Sequence, residues 1–212
     1  RRKISEGIKD GLKKYGIRLL KGHLSPNTSY DAVDAAAIGV ARNVLPSTEA
    51  KAGDSLIVAV DLAGKYDSKG WLKTFDSTTM KSSQEVLHRL NSMIEIARRK
   101  LAHAARDISG PGAVGTIAML CESSRVGAKI DLEKVPKPDG ICLEDWLMTY
   151  PGIGFVVSTR QPKECLRLLQ CSKLSAATVG KITSDKEIWL SYKKERELFF
   201  DLKRQSVFGV AR

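Results

Sequence analysis

The sequence predicts an α+β fold with a domain boundary near residue 50, on three observations. Helix-like and strand-like patterns alternate irregularly, without the steady βαβ cadence of a doubly wound sheet. Of the 212 residues, 42% are apolar and 28% charged, which suits one large or two small packed domains rather than a disordered chain. Composition changes over residues 42–53, a polar stretch carrying Pro46 and the turn-like Lys51-Ala52-Gly53-Asp54.

Each element follows from a local pattern. Ile4, Ile8, Leu12 and Tyr15 recur at helical spacing, and Gly16 stands where a left-handed cap is wanted. Residues 17–20 read as a short strand ending at Lys21-Gly22-His23, and a Ser/Pro/Asn/Thr loop covers 24–30. The apolar run 32–41 reads as a strand buried on both faces. Residues 55–62 form another strand, and 64–81 a long polar connection. Ser82 with Glu85 three positions on is a capping box. The helix it opens shows Val86, Leu87, Leu90, Met93, Ile94 and Ala97 on one side and extends to about residue 103, with His88 and His103 at its surface or core edge. A helix starts near Pro111, with Ser109 or Gly110 as N-cap, and continues to about 124. Strands at 126–132 and 154–159, a short helix at 143–148, a helix at 162–171 and closing strands at 176–182 and 187–192 complete the reading. There is no internal repeat.

The totals exclude several function classes. No apolar run approaches the roughly 18 residues needed to span a bilayer, and no signal-peptide pattern follows Arg1-Arg2-Lys3, so a cytoplasmic protein is expected. Because the first residue is not Met, a processed or trimmed chain is expected as well. Cys121, Cys142, Cys165 and Cys171 form no CxxC pair and have no matching His spacing, which leaves reduced thiols, buried at 121 and 165. The net charge of +11 suits anionic partners, but Lys and Arg are scattered and aromatics are only 6%. No stretch interleaves the two as a stacking surface would require, which argues against direct nucleic-acid binding.

One segment carries most of the chemical content, Asp107-Ile108-Ser109-Gly110-Pro111-Gly112. A small-residue loop entering a helix leaves backbone N–H groups unpaired at the positive end, and Gly110 and Gly112 let an oxygen-rich ligand approach. Ser109, Gly110 and Gly112 are therefore candidate phosphate or substrate contacts. Asp107 is the candidate catalytic carboxylate and Mg²⁺ ligand, able to hold the ion or orient a hydroxyl or water. The same residues equally suit an ordinary capped helix start, and the segment matches neither a P-loop nor a dinucleotide fingerprint. Gly22-His23-Leu24-Ser25-Pro26 is a second candidate, with His23 able to contact phosphate or carry a proton. Asp61, Asp67 and Asp76 have no spacing that specifies acid–base work, and GxSxG is absent.

Taken in order, the segments resemble a known superfamily. Its members include aminoimidazole ribonucleotide synthetase, selenophosphate synthetase, thiamine-monophosphate kinase and the hydrogenase maturation protein that dehydrates a carbamoyl group. The resemblance is carried by Gly22-His23 before the run ending Ile38-Gly39, by Gly53-Asp54-Ser55-Leu56-Ile57-Val58, by Asp107-Ile108-Ser109-Gly110-Pro111-Gly112, by Tyr150-Pro151-Gly152 and by Ala177-Thr178-Val179-Gly180. Asp76-Ser77-Thr78-Thr79-Met80-Lys81-Ser82 and Gly22-His23-Leu24-Ser25-Pro26 are most similar to the archaeal methanogenesis marker protein 2 group. The superfamily's amino-terminal Asp-Asp-Ala strand is missing, and Pro111 stands where relatives commonly have glycine. The resemblance implies mixed and antiparallel sheets flanked by helices in a two-domain subunit. Residues 1–50 would be the latter half of an ATP-binding, dimerising domain and 51–212 the carboxyl-terminal domain. It further implies a homodimer using ATP and Mg²⁺ on a small phosphorylated or carbonyl-bearing substrate, as a ligase, synthase or kinase, with Gly22 and His23 at the nucleotide. The alternative it leaves open is a non-catalytic nucleotide-binding or assembly module in cofactor maturation.

Overall fold

The computed structural model describes residues 2–23 and 29–209. Helix α1 (Arg2–Tyr15) opens the chain, and residues 17–23 and 29–54 then run without helix or strand. The elements that follow are β1 (Ser55–Val60), β2 (Lys65–Asp67), β3 (Thr74–Asp76), α2 (Ser83–Arg98), β4 (Ala104–Asp107), α3 (Gly112–Ser124) and β5 (Gly127–Asp131). A 3₁₀ turn (Leu132–Lys134) leads to α4 (Leu143–Leu147), β6 (Tyr150–Pro151), β7 (Gly154–Thr159) and α5 (Pro162–Cys171). The chain closes on β8 (Ser175–Thr183), β9 (Glu187–Tyr192) and β10 (Glu195–Asp201).

Seven strands form one sheet in the order β10-β9-β5-β8-β1-β7-β4, and β2-β3-β6 form a small second sheet. Pairing is antiparallel except for β5 with β9 and β3 with β6. The expected α+β class is observed. No helix among the described residues is long and apolar enough to cross a membrane.

Strand β1 shows why this sheet is stable. Its side chains alternate between two cores, as the period of two demands. Leu56, Val58 and Val60 pack with Ile117 and Leu120 of α3, whereas Ile57 and Ala59 pack with Ile96 of α2 and Leu169 of α5. All five are essentially inaccessible. Each fully buried Leu, Ile or Val side chain of this kind contributes roughly 1.5–3 kcal/mol. The strand stops short of the expected residue 62 because Asp61 Oδ1 accepts the Ala63 N–H and turns the chain. The Ser82–Glu85 capping box forms as expected. Helix α2 then ends at Arg98, before the expected 103, where Lys100 takes φ 53° and Leu101 N–H bonds Ile96 O.

Other elements differ from expectation. The connection 64–81 contains β2 and β3, which pair with each other, and β3 pairs with β6 so that Thr74 and Phe75 lie beside Tyr150 and Pro151. Strand β10 was not expected; it pairs with β9 at the sheet edge. The strands expected at 17–20 and 32–41 do not form, and Leu20, Ile38 and Val40 are almost wholly exposed. A strand needs a neighbouring backbone for its N–H and C=O groups, and no described strand lies against either segment. Residues 43–50 instead lie along the exposed edge of β4: Asn43 donates to Arg98 O, Ala105 N–H to Pro46 O, and Ala50 N–H to Ser124 Oγ. Helix α1 packs on α2 through Tyr15, and the Lys14 ammonium donates to the Thr78 and Thr79 carbonyls.

Candidate functional site

The carboxyl ends of β1 and β4 and the start of β7 come together, since Asp61 N–H bonds Ile153 O and Ile108 N–H bonds Gly154 O. Rigid strands therefore present Asp61 and the turn from β4 into α3 at one end of the sheet. Asp107 is the last residue of β4; its carboxylate is exposed. Ser109 and Gly110 are half-buried in the turn. The turn closes on itself, with Gly112 N–H donating to Ser109 O at 2.9 Å, so that amide already has an acceptor.

Closure of that turn moves the helix start. The N-cap is Pro111, at φ −71°, rather than Ser109 or Gly110, and no side chain caps α3. Gly112 has φ 68° and is buried; a Cβ there would run into the Leu147 carbonyl and Met148 Cα. Its lack of a side chain thus serves the close approach of α4 as well as the turn. Gly22 and His23 lie exposed in extended chain after α1, with no hydrogen bond to the β4–α3 turn among the described residues. Residues 24–28 of that motif lie outside the described residues.

Beside the turn opens a cleft of about 850 Å³ between residues 40–47, α2 and the β4 edge. Asp107, Arg42 and Arg106 are among the residues lining it, and Met93, Ala97 and Phe155 supply apolar wall. Arg98, also on the wall, is held by Glu95 through Nε and Nη2 at 2.9 and 2.7 Å. Arg106 lies 5.7 Å from the Phe208 ring centroid. Sequence reasoning missed the cleft because it joins segments about 50 and 60 positions apart.

Two buried polar clusters were also missed. Asp61, 1% exposed, pairs with Arg89 Nε and, at 3.2 Å, with Lys81 Nζ, fixing the start of α2 against the end of β1. At the opposite end of β1, the buried Asp54 carboxylate accepts from Ser158 Oγ at 2.7 Å and from His103 Nδ1 at 2.8 Å. His103 therefore belongs to the entry of β4 and not to a helix surface. Asp76 caps the turn after β3: its Oδ1 accepts the Thr79 and Thr78 N–H groups, which hold its carboxyl at about 2. Cys121 is pushed up to about 12 by burial, with a smaller push from Asp185, and burial likewise raises Cys165. Both are inert core thiols, as expected. Among the described residues, no three His, Cys, Asp or Glu side chains are grouped to hold a metal.

The family model described as AIR synthase related protein, C-terminal domain, matches residues 51–193. An uncharacterized protein of Methanocaldococcus jannaschii is 35% identical over 98% of this chain, which spans 65% of that relative's length. Among solved structures, Thermotoga maritima PurL complexed with ATP superposes with a TM-score of 0.60 at 14% identity, over 76% of this chain and 27% of that one. The hydrogenase maturation protein HypE does so with 0.54 at 13% identity, over 79% of this chain and 58% of that one. At such identities the likeness is one of fold. The family match, covering more than half of the chain, settles kinship: this protein belongs to the AIR synthase related family, and the matched residues run from before β1 through β9.

Proposed function

We propose that the chain is the carboxyl-terminal portion of an ATP-dependent cytoplasmic enzyme acting on a small phosphorylated or carbonyl-bearing metabolite. The observation that carries this reading is the β4–α3 turn. It places an exposed carboxylate at a strand end, directly before a helix whose first turn has no side-chain cap. Such a junction offers partial positive charge to an anion and a hard oxygen to a cation. Ser109 and Gly110 would contact the phosphate or the activated oxygen, with Gly112 shaping the turn. Asp107 supplies one carboxylate, which fits Mg²⁺, an ion commonly held by one or two carboxylates together with substrate phosphates. Bound there, Mg²⁺ would neutralise phosphate charge during phosphoryl transfer.

Residues 1–50 are assigned to the latter part of a nucleotide-binding and dimerising unit, with Gly22 and His23 at the nucleotide phosphates. The ATP named with the PurL structure and the family match support the nucleotide. A link to methanogenesis rests on the motif resemblance alone.

The test is calorimetry of the full-length protein with ATP and Mg²⁺, with and without candidate metabolites, repeated on Asp107→Ala and His23→Ala. Metabolite-stimulated ADP release that Asp107→Ala abolishes is the expected result. One observation favours a second reading, a nucleotide-binding or assembly module without turnover: the Gly112 amide is tied to Ser109 and the turn carries the rigid Pro111. ATP binding without ADP release across a broad metabolite panel would select it.

A further inference from the structure

We propose that the cleft beside β4 binds a planar heteroaromatic ring that carries a hydrogen-bond donor next to an acceptor, as adenine does, and that the ring is read by the main chain of β4. This deepens the nucleotide reading above by giving the base its own seat; it relies on that reading only for the choice of probes.

The argument begins with which way β4's backbone groups point. In an antiparallel pair, successive residues turn their N–H and C=O alternately toward and away from the neighbour. Ile108 N–H bonds Gly154 O of β7, so Ile108 and Arg106 face inward, and Ala105 and Asp107 face the open edge. Ala105 N–H indeed bonds outward, to Pro46 O at 3.0 Å. Pro46 has no N–H to return, so the Ala105 carbonyl keeps no main-chain donor from that residue. Two residues on, the outward N–H and C=O of Asp107 meet no neighbouring strand among the described residues, because β4 is the last strand of the sheet.

Ala105 and Asp107 both line the cleft. The open edge therefore shows it an acceptor, a donor and a second acceptor in a row: Ala105 O, Asp107 N–H and Asp107 O. Exposed edge groups of this kind seek partners. The edge is too short for an added strand, since Pro46 already occupies its first position. It does match a flat ring. Met93 and Ala97 of α2, Leu45 and Phe155 give the cleft apolar walls, and its volume of about 850 Å³ lies in the range, roughly 300–1,000 Å³, of small-molecule sites. Arg42, exposed and among the lining residues, makes no ion pair among the described residues and is placed to meet an anionic tail.

Adenine's amino group would donate to Ala105 O while its ring N1 accepts from Asp107 N–H. Hypoxanthine reverses both groups, setting acceptor against acceptor and donor against donor. A site built to satisfy hydrogen bonds rejects such a mismatch strongly because its own groups are then left unpaired.

The experiment titrates the full chain with adenosine 5′-monophosphate and inosine 5′-monophosphate, which share one phosphate and one charge. Amide NMR shifts are followed and affinities measured by calorimetry. The expected result is a shift of the Asp107 amide with adenosine monophosphate, and binding of the inosine nucleotide weaker by about 10-fold or more. Ala97→Phe, which fills the cleft from a half-exposed position, should abolish the binding while circular dichroism stays unchanged. Asp107→Ala, which keeps the main-chain N–H, should preserve the preference for adenosine even though it removes the carboxylate on which the proposed enzyme depends. Equal affinity for the two nucleotides overturns the proposal, as does an Asp107 amide that does not move at millimolar nucleotide. Shifts confined to Ser109 and Gly110, reproduced by inorganic phosphate alone, would also overturn it while leaving the anion site of the proposed function standing.

Discussion

Residues 32–41 and strand β1 are both short apolar runs, and they meet opposite fates. Val58 in β1 is wholly buried, whereas Val40 is fully exposed and its segment forms no strand. Side-chain character separates them only in part, since residues 32–41 carry Asp34, Gly39 and several alanines where β1 is rich in Leu, Ile and Val. Strand β1 has β8 and β7 hydrogen-bonded on its two sides and helices over both faces. Residues 32–41 have no described strand beside them. A β pattern states what a segment can pair with; the pairing itself comes from elsewhere in the chain.

The largest test of this contrast sets Ile57 against Ile38. Truncating Ile57, which is wholly buried, should cost about 2–5 kcal/mol, the usual range for an aliphatic core residue cut to Ala. Ile38→Ala, at 93% exposure, should stay within about 0.5 kcal/mol. Urea unfolding of the two variants decides the matter, and comparable losses would show that residues 32–41 are packed after all. The next test uses glycines. Gly112→Ala meets both a positive φ and the Leu147 carbonyl, and should lose about 1–3 kcal/mol. Gly39→Ala, with nothing within 4 Å of the added methyl, should be nearly neutral by the same measurement.

The same contrast explains what was legible in the sequence. The helix at Ser82 could be read because its start is set by two residues three apart, which bond each other in the folded chain. The strand at 55 could be read because an unbroken apolar run there is buried on both faces. The α+β class followed from such local signals. The Asp107 turn was located as a segment, but the N-cap at Pro111 was not, since it depends on the Gly112–Ser109 bond and on α4 pressing against Gly112. Strands β2, β3 and β10 were hidden for a related reason. Residues 65–67 and 74–76 are only three long, and β10 is mostly exposed, so neither burial nor periodicity marked them. The cleft has no sequence signal, because its walls come from residues 40–47, α2, β4 and β7.

A smaller test probes the best-formed local signal. In Ser82→Ala the Glu85 N–H loses its side-chain acceptor and the reciprocal bond loses its geometry, for a cost of about 1 kcal/mol in urea unfolding. A loss well above that would mean that Ser82 also positions Lys81 on Asp61, coupling the cap to the buried ion pair.

The smallest expected effect lies where α1 meets the turn after β3. Asp76 caps the turn whose Thr78 and Thr79 carbonyls receive Lys14 from α1. Backbone N–H bonds from Thr79 and Thr78 lower its carboxyl from the ordinary 3.8 to about 2. A lowered folded value means that the unfolded chain takes up the proton first as pH falls. The contribution of Asp76 is therefore fully present above 3.8 and disappears as pH falls through about 2. Thermal melts between pH 5 and 2 should show less acid destabilisation in Asp76→Asn, whose amide oxygen can still accept both N–H bonds but does not titrate. Hydrogen exchange over the same range should show α1 loosening before β1 in the wild-type chain, because Lys14 anchors the helix to that turn. If α1 and β1 lose protection together, the amino-terminal helix is held by something other than this turn, and the division between a paired body and a loosely attached leading segment gives way.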